Sequence, residues 1–299
     1  MKKELLLAVA AALAIYLVFL GIGLVGNLLS PDATPSEENQ VAHAIGVADS
    51  QDDSEQQTNQ QLADGAENIF PGDSLPESDI APTPPADGAK DKNLPGVMAL
   101  TFDDGPGKET TPLLLDALKE RNIKATFFVL GVRVKAYPSI VERANADGHV
   151  ICSHGYDHKD KFSKLSNEGL TAQLENTAKL IYGLTDSYPM YVRPPYGDIN
   201  AATAAKINQP IMLWTIDPRD WDVKDADTIC QNIVNTAKDG AVILSHDIYQ
   251  STVDGVIKAV DLLTAQGWKF VSLPELYKYL DITPKAGQVY RGASVTQLK

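Results

Sequence analysis

The sequence predicts an α/β fold: a distorted or incomplete (β/α) barrel with seven or fewer parallel strands, preceded by a membrane anchor and a disordered tether. Three observations predict it. From Val97 onward, short apolar runs alternate with helical periodicities, as repeated βα units around a parallel sheet require. The alternation occupies about 185 residues, whereas a full eight-unit barrel takes about 250. The polar residues able to do chemistry stand directly after the apolar runs, always in the same phase.

The chain begins Met1-Lys2-Lys3-Glu4 and then runs apolar from Leu5 to Leu29, with Asn27 its one polar residue. About 20 apolar residues cross the roughly 30 Å of a bilayer core, and a cleavable signal has a shorter apolar stretch of about 7–15. Residues 1–30 therefore read as an uncleaved signal-anchor, with residues 5–29 in the membrane. Lys2 and Lys3 hold the N-terminus inside. The expected location is the cell membrane, single-pass, with the rest of the chain extracytoplasmic.

Residues 31–95 carry 14 acidic and 2 basic side chains and a single aromatic, Phe70. Too little apolar surface is available to offset chain entropy, so this is a disordered acidic linker, and His43 within it is inert. The linker also explains the net charge of −13: residues 96–299 hold 24 acidic and 22 basic residues and are nearly neutral. No basic patch points to nucleic acid. Cys152 and Cys230 form no zinc or redox spacing. They could pair outside the cell, but two separate core residues is the preferred reading. A monomer is expected.

Strands are expected at Val97–Phe102, Ala125–Leu130, His149–Cys152, Tyr191–Val192, Ile211–Ile216, Ala241–Leu244 and Phe270–Val271. Helices are expected at Thr111–Arg121, Ser139–Ala146, Leu170–Leu184, Ala226–Ala237 and Val253–Gln266. Leu170, Leu174, Thr177, Leu180, Ile181 and Leu184 share one face of the third of these. The folded domain is placed at 96–281, with 282–299 as a C-terminal tail.

Five strands end in titratable or turn-forming groups: Asp103-Asp104, His154 with His158, Arg193 to Gly197, Asp217 to Trp221, and His246-Asp247. In parallel βα folds the loops after the strands build the site. His154 and His158, four apart, suit a first-row divalent ion, and Asp104 is the natural third ligand. A bound cation neutralises Asp104, so Asp103 can stay ionised beside it as a base for water the cation acidifies. An Asp-Gly-Pro turn alone needs one carboxylate, not two. His246 is placed to act as an acid, Asp220 to hold it, and Arg193 to align Asp103. Trp221 offers a flat face for a sugar ring. His149, at the start of a strand, is structural.

These motifs resemble the polysaccharide deacetylases of carbohydrate esterase family four. TFDDGP at 101–106, HGYDH at 154–158, RPPYG at 193–197, DPRDW at 217–221 and LSH at 244–246 match the family's five motifs in order. The resemblance implies a distorted (β/α) barrel that hydrolyses N-acetyl groups on a glycan. It implies Asp103 as base, Asp104, His154 and His158 as ligands of zinc (cobalt or another first-row ion being possible), and His246 as acid tuned by Asp220. Arg193 then orients Asp103, the Tyr196 backbone N–H stabilises the oxyanion, and Pro195 and Trp221 line the sugar groove. The family usually has Ser or Thr where this chain has Gly155, so a looser metal loop is expected. The anchor and tether favour N-acetylglucosamine of cell-wall peptidoglycan as substrate. An exopolysaccharide, a chitooligosaccharide, or a catalytically dead glycan-binding domain are the alternatives.

Overall fold

The computed structural model describes residues 95–298. The expected anchor, most of the linker and His43 lie outside the described residues. Among the described residues, no helix is long and apolar enough to cross a membrane.

The fold is built around β1 (Val97–Asp103), whose seven residues are all buried. It pairs in parallel with β5 (Ala241–His246) along one edge. On its other edge it meets β2 (Thr126–Val129) at Thr101–Asp103 and β6 (Lys269–Val271) at Val97–Ala99. Next to β2 lies β3 (Val150–Ser153), again parallel. From β3 the ring continues through single bridges. Ser153 meets Val192, Val192 meets Ile211 at the start of β4 (Ile211–Leu213), and Ile216 returns to Ile243 of β5. The result is a parallel barrel, splayed where β6 wedges beside β1, and it accounts for all seven expected strand positions.

Helices pack on the outside because alternate strand residues point both ways. Met98, Leu100 and Phe102 belong to one apolar cluster with Leu114 and Leu118 of α1 (Thr110–Glu120). Ala259 and Leu263 join it from a helix spanning Gln250–Ala265. Val97 and Ala99 instead join Phe128, Cys152, Tyr191, Met212 and Val242 in the barrel interior. Cys152 and Cys230 are free, buried thiols in different clusters.

Several expected boundaries shift. The helix at Asn167–Thr185 starts three residues earlier than its apolar face, because the Ser166 side chain accepts a hydrogen bond from the Gly169 N–H and caps it. The strand expected to run to Ile216 is interrupted after Leu213, where the Thr215 hydroxyl takes the Val242 N–H that a regular ladder would use. Residues 282–298, expected as part of a C-terminal tail, carry two strands. β7 (Val289–Arg291) pairs in parallel with β4 and turns into antiparallel β8 (Ser294–Val295). Tyr290 is fully buried against Tyr277. The folded unit therefore extends well past residue 281.

Candidate active site

The two-residue alternation that builds the barrel also loads its mouth. Asp103 has the parity of Val97, Ala99 and Thr101; His246 that of Val242; Arg193 that of Tyr191; and His154 that of Cys152. All four follow interior positions, at the C-terminal ends of their strands. Asp103 and His246 are direct partners in the register of β1 and β5, so neighbouring strands set them roughly 5 Å apart at the backbone.

Asp103 is buried, and its Oδ1 accepts a hydrogen bond from Arg193 Nη1 at 2.7 Å. The same Nη1 lies 2.8 Å from the Thr101 hydroxyl, and Nε donates to the Met212 carbonyl at 2.9 Å. The guanidinium sits 4.1 Å over the Phe128 ring. Burial pushes the Asp103 carboxyl above its usual value, while Arg193 and His246 pull against it. The carboxylate is thereby held in place and made more basic than a free one.

Asp104 follows in the left-handed region, φ 69°, with its carboxylate beside the two histidines. Its Oδ1 is buried without a hydrogen-bond partner, 3.5 Å from His154 Nε2 and 3.6 Å from His158 Nε2. Ligand atoms about 2.1 Å from a common ion at the tetrahedral angle stand about 3.4 Å apart. That orphaned oxygen and those separations fit a divalent metal. His154 Nδ1 donates to the Arg193 carbonyl at 2.7 Å, which leaves Nε2 with its lone pair towards Asp104. Burial lowers the His154 pKa to about 3, so the ring stays neutral, as a ligand must.

His246 is tied twice to the buried Asp220, by its backbone N–H to Oδ2 at 2.7 Å and by Nδ1 to Oδ1 at 3.0 Å. The Thr252 hydroxyl supplies a third bond to Oδ2 at 2.8 Å. Burial alone would lower the His246 pKa. The hydrogen bond and charge of Asp220, with the charges of Asp103 and Asp104, outweigh it and raise the value to about 9. An imidazolium so poised beside a carboxylate base makes an acid–base pair.

The remaining predicted residues stand at the rim. Pro195 is buried and opens a single turn, Pro195–Gly197, in which Tyr196 is left-handed at φ 62°. The Tyr196 ring is 58% exposed and packs on His158 at 4.4 Å, and its hydroxyl donates to the His158 carbonyl. Trp221 is 45% exposed, with the Arg219 guanidinium 5.2 Å from its ring.

The loop carrying His154 and His158 differs from its expectation. Gly155 is left-handed, φ 81°, and a Cβ there would lie 3.0 Å from Phe162 and 3.1 Å from Gln173 Oε1. In place of a hydroxyl at 155, Gln173 holds the loop. Its Oε1 accepts the Tyr156 N–H at 2.6 Å and its Nε2 donates to Asp157 at 2.9 Å. The loop is pinned from the long helix behind it rather than loosened. His149, as expected, takes no part: its Nδ1 accepts the Ala125 N–H, and burial lowers its pKa to about 4.

Sequence reasoning missed the supports Thr101, Thr252 and Gln173, and gave no role to Asp247. The Asp247 carboxyl is fully buried, and burial raises its pKa to about 7. The signal was its place directly after His246.

A parallel α/β barrel with Asp103 and His246 paired at its mouth beside an Asp-His-His cluster carries the groups that metal-assisted hydrolysis uses. The profile of the Polysaccharide deacetylase family matches residues 90–210. The peptidoglycan-N-acetylglucosamine deacetylase PgdA of Listeria monocytogenes is 40% identical over 180 residues, 60% of this chain and 38% of its own length. Bacillus subtilis PdaC, a peptidoglycan-N-acetylmuramic acid deacetylase, is 38% identical over 180 residues, again 60% of this chain and 38% of PdaC. The solved structure of PdaC superposes with a TM-score of 0.61 at 36% identity, covering 63% of this chain and 93% of that structure. A family 4 acetyl xylan esterase from Clostridium thermocellum, solved with a cobalt ion, gives a TM-score of 0.62 at 26% identity, covering 65% of this chain and 97% of that one. This chain belongs to the polysaccharide deacetylase family. The match spans well under half the length of the Listeria and Bacillus relatives.

Proposed function

We propose that this chain is a metal-dependent hydrolase that removes N-acetyl groups from N-acetylglucosamine residues of peptidoglycan and releases acetate. The observation that carries the reading is the pairing of Asp103 with His246 on adjacent strands, beside the cluster of Asp104, His154 and His158. A divalent cation on that cluster, Zn²⁺ first and Co²⁺ or another first-row ion after it, would polarise the acetyl carbonyl and acidify water.

The protein's own groups do the rest. Asp103, one oxygen engaged by Arg193, takes the proton of the attacking water on its other oxygen. The Tyr196 backbone N–H is assigned to the carbonyl oxygen as charge develops there. His246, charged below pH about 9, gives its proton to the sugar nitrogen as the C–N bond breaks, so acetate and free amine leave. Asp220 holds the imidazolium in line. Pro195 and the exposed faces of Tyr196 and Trp221 receive the sugar chain.

The location proposed is the outer side of the cell membrane, through an anchor at residues 5–29, with the protein acting as a monomer. β1 begins at Val97 and the site lies beyond its other end. The similarity to PdaC favours one second reading, deacetylation at N-acetylmuramic acid.

The test is acetate release by the full chain from peptidoglycan fragments, chitooligosaccharides and acetylated xylan, with and without chelator. The reading expects release from peptidoglycan, lost with chelator and restored by Zn²⁺ or Co²⁺. Mass spectrometry of the products places the free amine on glucosamine or on muramic acid. Binding without acetate from any glycan would leave only a glycan-binding domain.

A further inference from the structure

The residue after the acid has no place in the chemistry above, yet its setting is unusually specific. Asp247 is fully buried, and its Oδ2 accepts a hydrogen bond from the Thr111 hydroxyl. Its backbone carbonyl accepts another from the Thr110 hydroxyl. Its Oδ1 is buried with no hydrogen-bond partner and lies against the backbone of Gly105. A Cβ added at Gly105 would stand 2.3 Å from Oδ1 and 2.4 Å from Oδ2. Only glycine lets the carboxyl come so close, and Gly105 directly follows Asp104.

Thr111 completes the connection. A hydroxyl has a single proton. Because that proton goes to Asp247, the oxygen's lone pair is left for the Gly107 N–H, which donates to it at 2.7 Å. The turn from Gly105 to Gly107 is thus gripped on one side by Asp247 and Thr111. On the other side the Gly105 carbonyl accepts the Leu130 N–H at 3.1 Å. Asp104 lies between this turn and β1, and its buried Oδ1 accepts no hydrogen bond from the protein.

We propose that Asp247 is a positioning residue for the metal site: through Thr111 and Gly105 it sets the place of Asp104 relative to His154 and His158. The inference rests on the reading of those three residues as metal ligands. It also joins the ligand turn to the strand that carries His246, so the metal and the acid keep one spacing.

The test is Zn²⁺ affinity of the full chain, measured by competition with a chromophoric chelator, with thermal unfolding followed alongside. Removing groups that hold a ligand costs about 10- to 100-fold in metal affinity. Asp247→Ala and Thr111→Val should each weaken Zn²⁺ binding about 10-fold. Asp247→Asn keeps an acceptor and Thr111→Ser keeps the hydroxyl, so both should stay within about threefold of the parent. The double variant should be no weaker than either single one, because both cut the same connection. Parent-like affinity in folded Asp247→Ala or Thr111→Val overturns the proposal, as does equal loss in Thr111→Ser. If Asp247→Ala does not fold, Thr111→Val against Thr111→Ser decides. A parent protein that binds no Zn²⁺ refutes the metal site itself, a different result from any of these.

Discussion

Replacing Asp220 with Asn removes one charge and leaves the side-chain shape nearly unchanged. In the parent, the rise of the His246 pKa from 6.5 to about 9 is worth ~3 kcal/mol of preference for the imidazolium. Burial opposes that rise, and Asp220 is the leading cause of it, through a hydrogen bond and a charge. With the amide in place, burial is the largest remaining influence. The His246 value should then fall to about 6.5 or below, a drop of at least about two units. The clean measurement is an NMR titration of the ring in chelated protein, where no cation offsets the charge of Asp104. The catalytic consequence follows in the metal-loaded enzyme. At neutral pH a smaller fraction of the acid would be protonated than in the parent, and the alkaline limb of the rate profile should move down with it. Stability should respond in the same window. A folded-state pKa above the unfolded value gives a contribution that is full below pH 6.5 and gone above about 9. Asp220→Asn should therefore flatten the loss of stability between those limits. A His246 value still near 9 in Asp220→Asn would refute the assignment.

Three other perturbations test separate parts of the site and fold. Asp103→Asn should retain stoichiometric metal by elemental analysis while acetate release falls about 10²- to 10⁴-fold, the usual worth of a general base; loss of metal instead would mean the two aspartates have exchanged roles. Asp104→Ala, His154→Ala and His158→Ala should each purify without metal, since two ligands hold a catalytic ion poorly; stoichiometric metal in any of them removes that residue from the ligand set. Tyr290→Ala should cost about 3–5 kcal/mol in denaturant unfolding, as truncating a buried aromatic does; a cost under 1 kcal/mol would show that the last strand is dispensable.

The residues that converge at the barrel mouth were legible because they stand out in residue type and strand phase. Asp103, His154, Arg193 and His246 follow apolar runs in the interior phase, so side-chain alternation sends them to the barrel mouth, while Asp104, His158 and Asp220 reach it from the turns that follow. What holds them was not legible. Thr252, Thr101 and Gln173 are ordinary polar residues in sequence, and their roles arise from contacts over 32, 92 and 16 residues of chain. Gly155 is the sharper case. Its identity predicts a freer loop, but the restraint comes from Gln173, on a helix whose polar face carries no mark in the sequence. β7 escaped for a related reason. Its three residues are too few for a periodicity, and its pairing with β4 spans nearly eighty residues.

The parallel sheet also explains why Asp103 and His246 sit at one height on neighbouring strands rather than across the barrel. Partners in register advance together, so Asp103 and His246 reach the mouth at the same height without any loop having to place them. Loops are then free to carry the ligands, whose spacing depends on turns: Asp104 and His158 both adopt left-handed backbone, φ 69° and 57°. A rigid pair on strands and a cluster on turns fail differently. Substitutions that disturb the strands should lower the rate with metal still bound. Those that disturb the turns, at Gly105, Thr111 or Gln173, should show first as weaker metal binding, with full rate recovered at saturating Zn²⁺. A turn variant that binds Zn²⁺ normally yet stays slow at saturation would break that division.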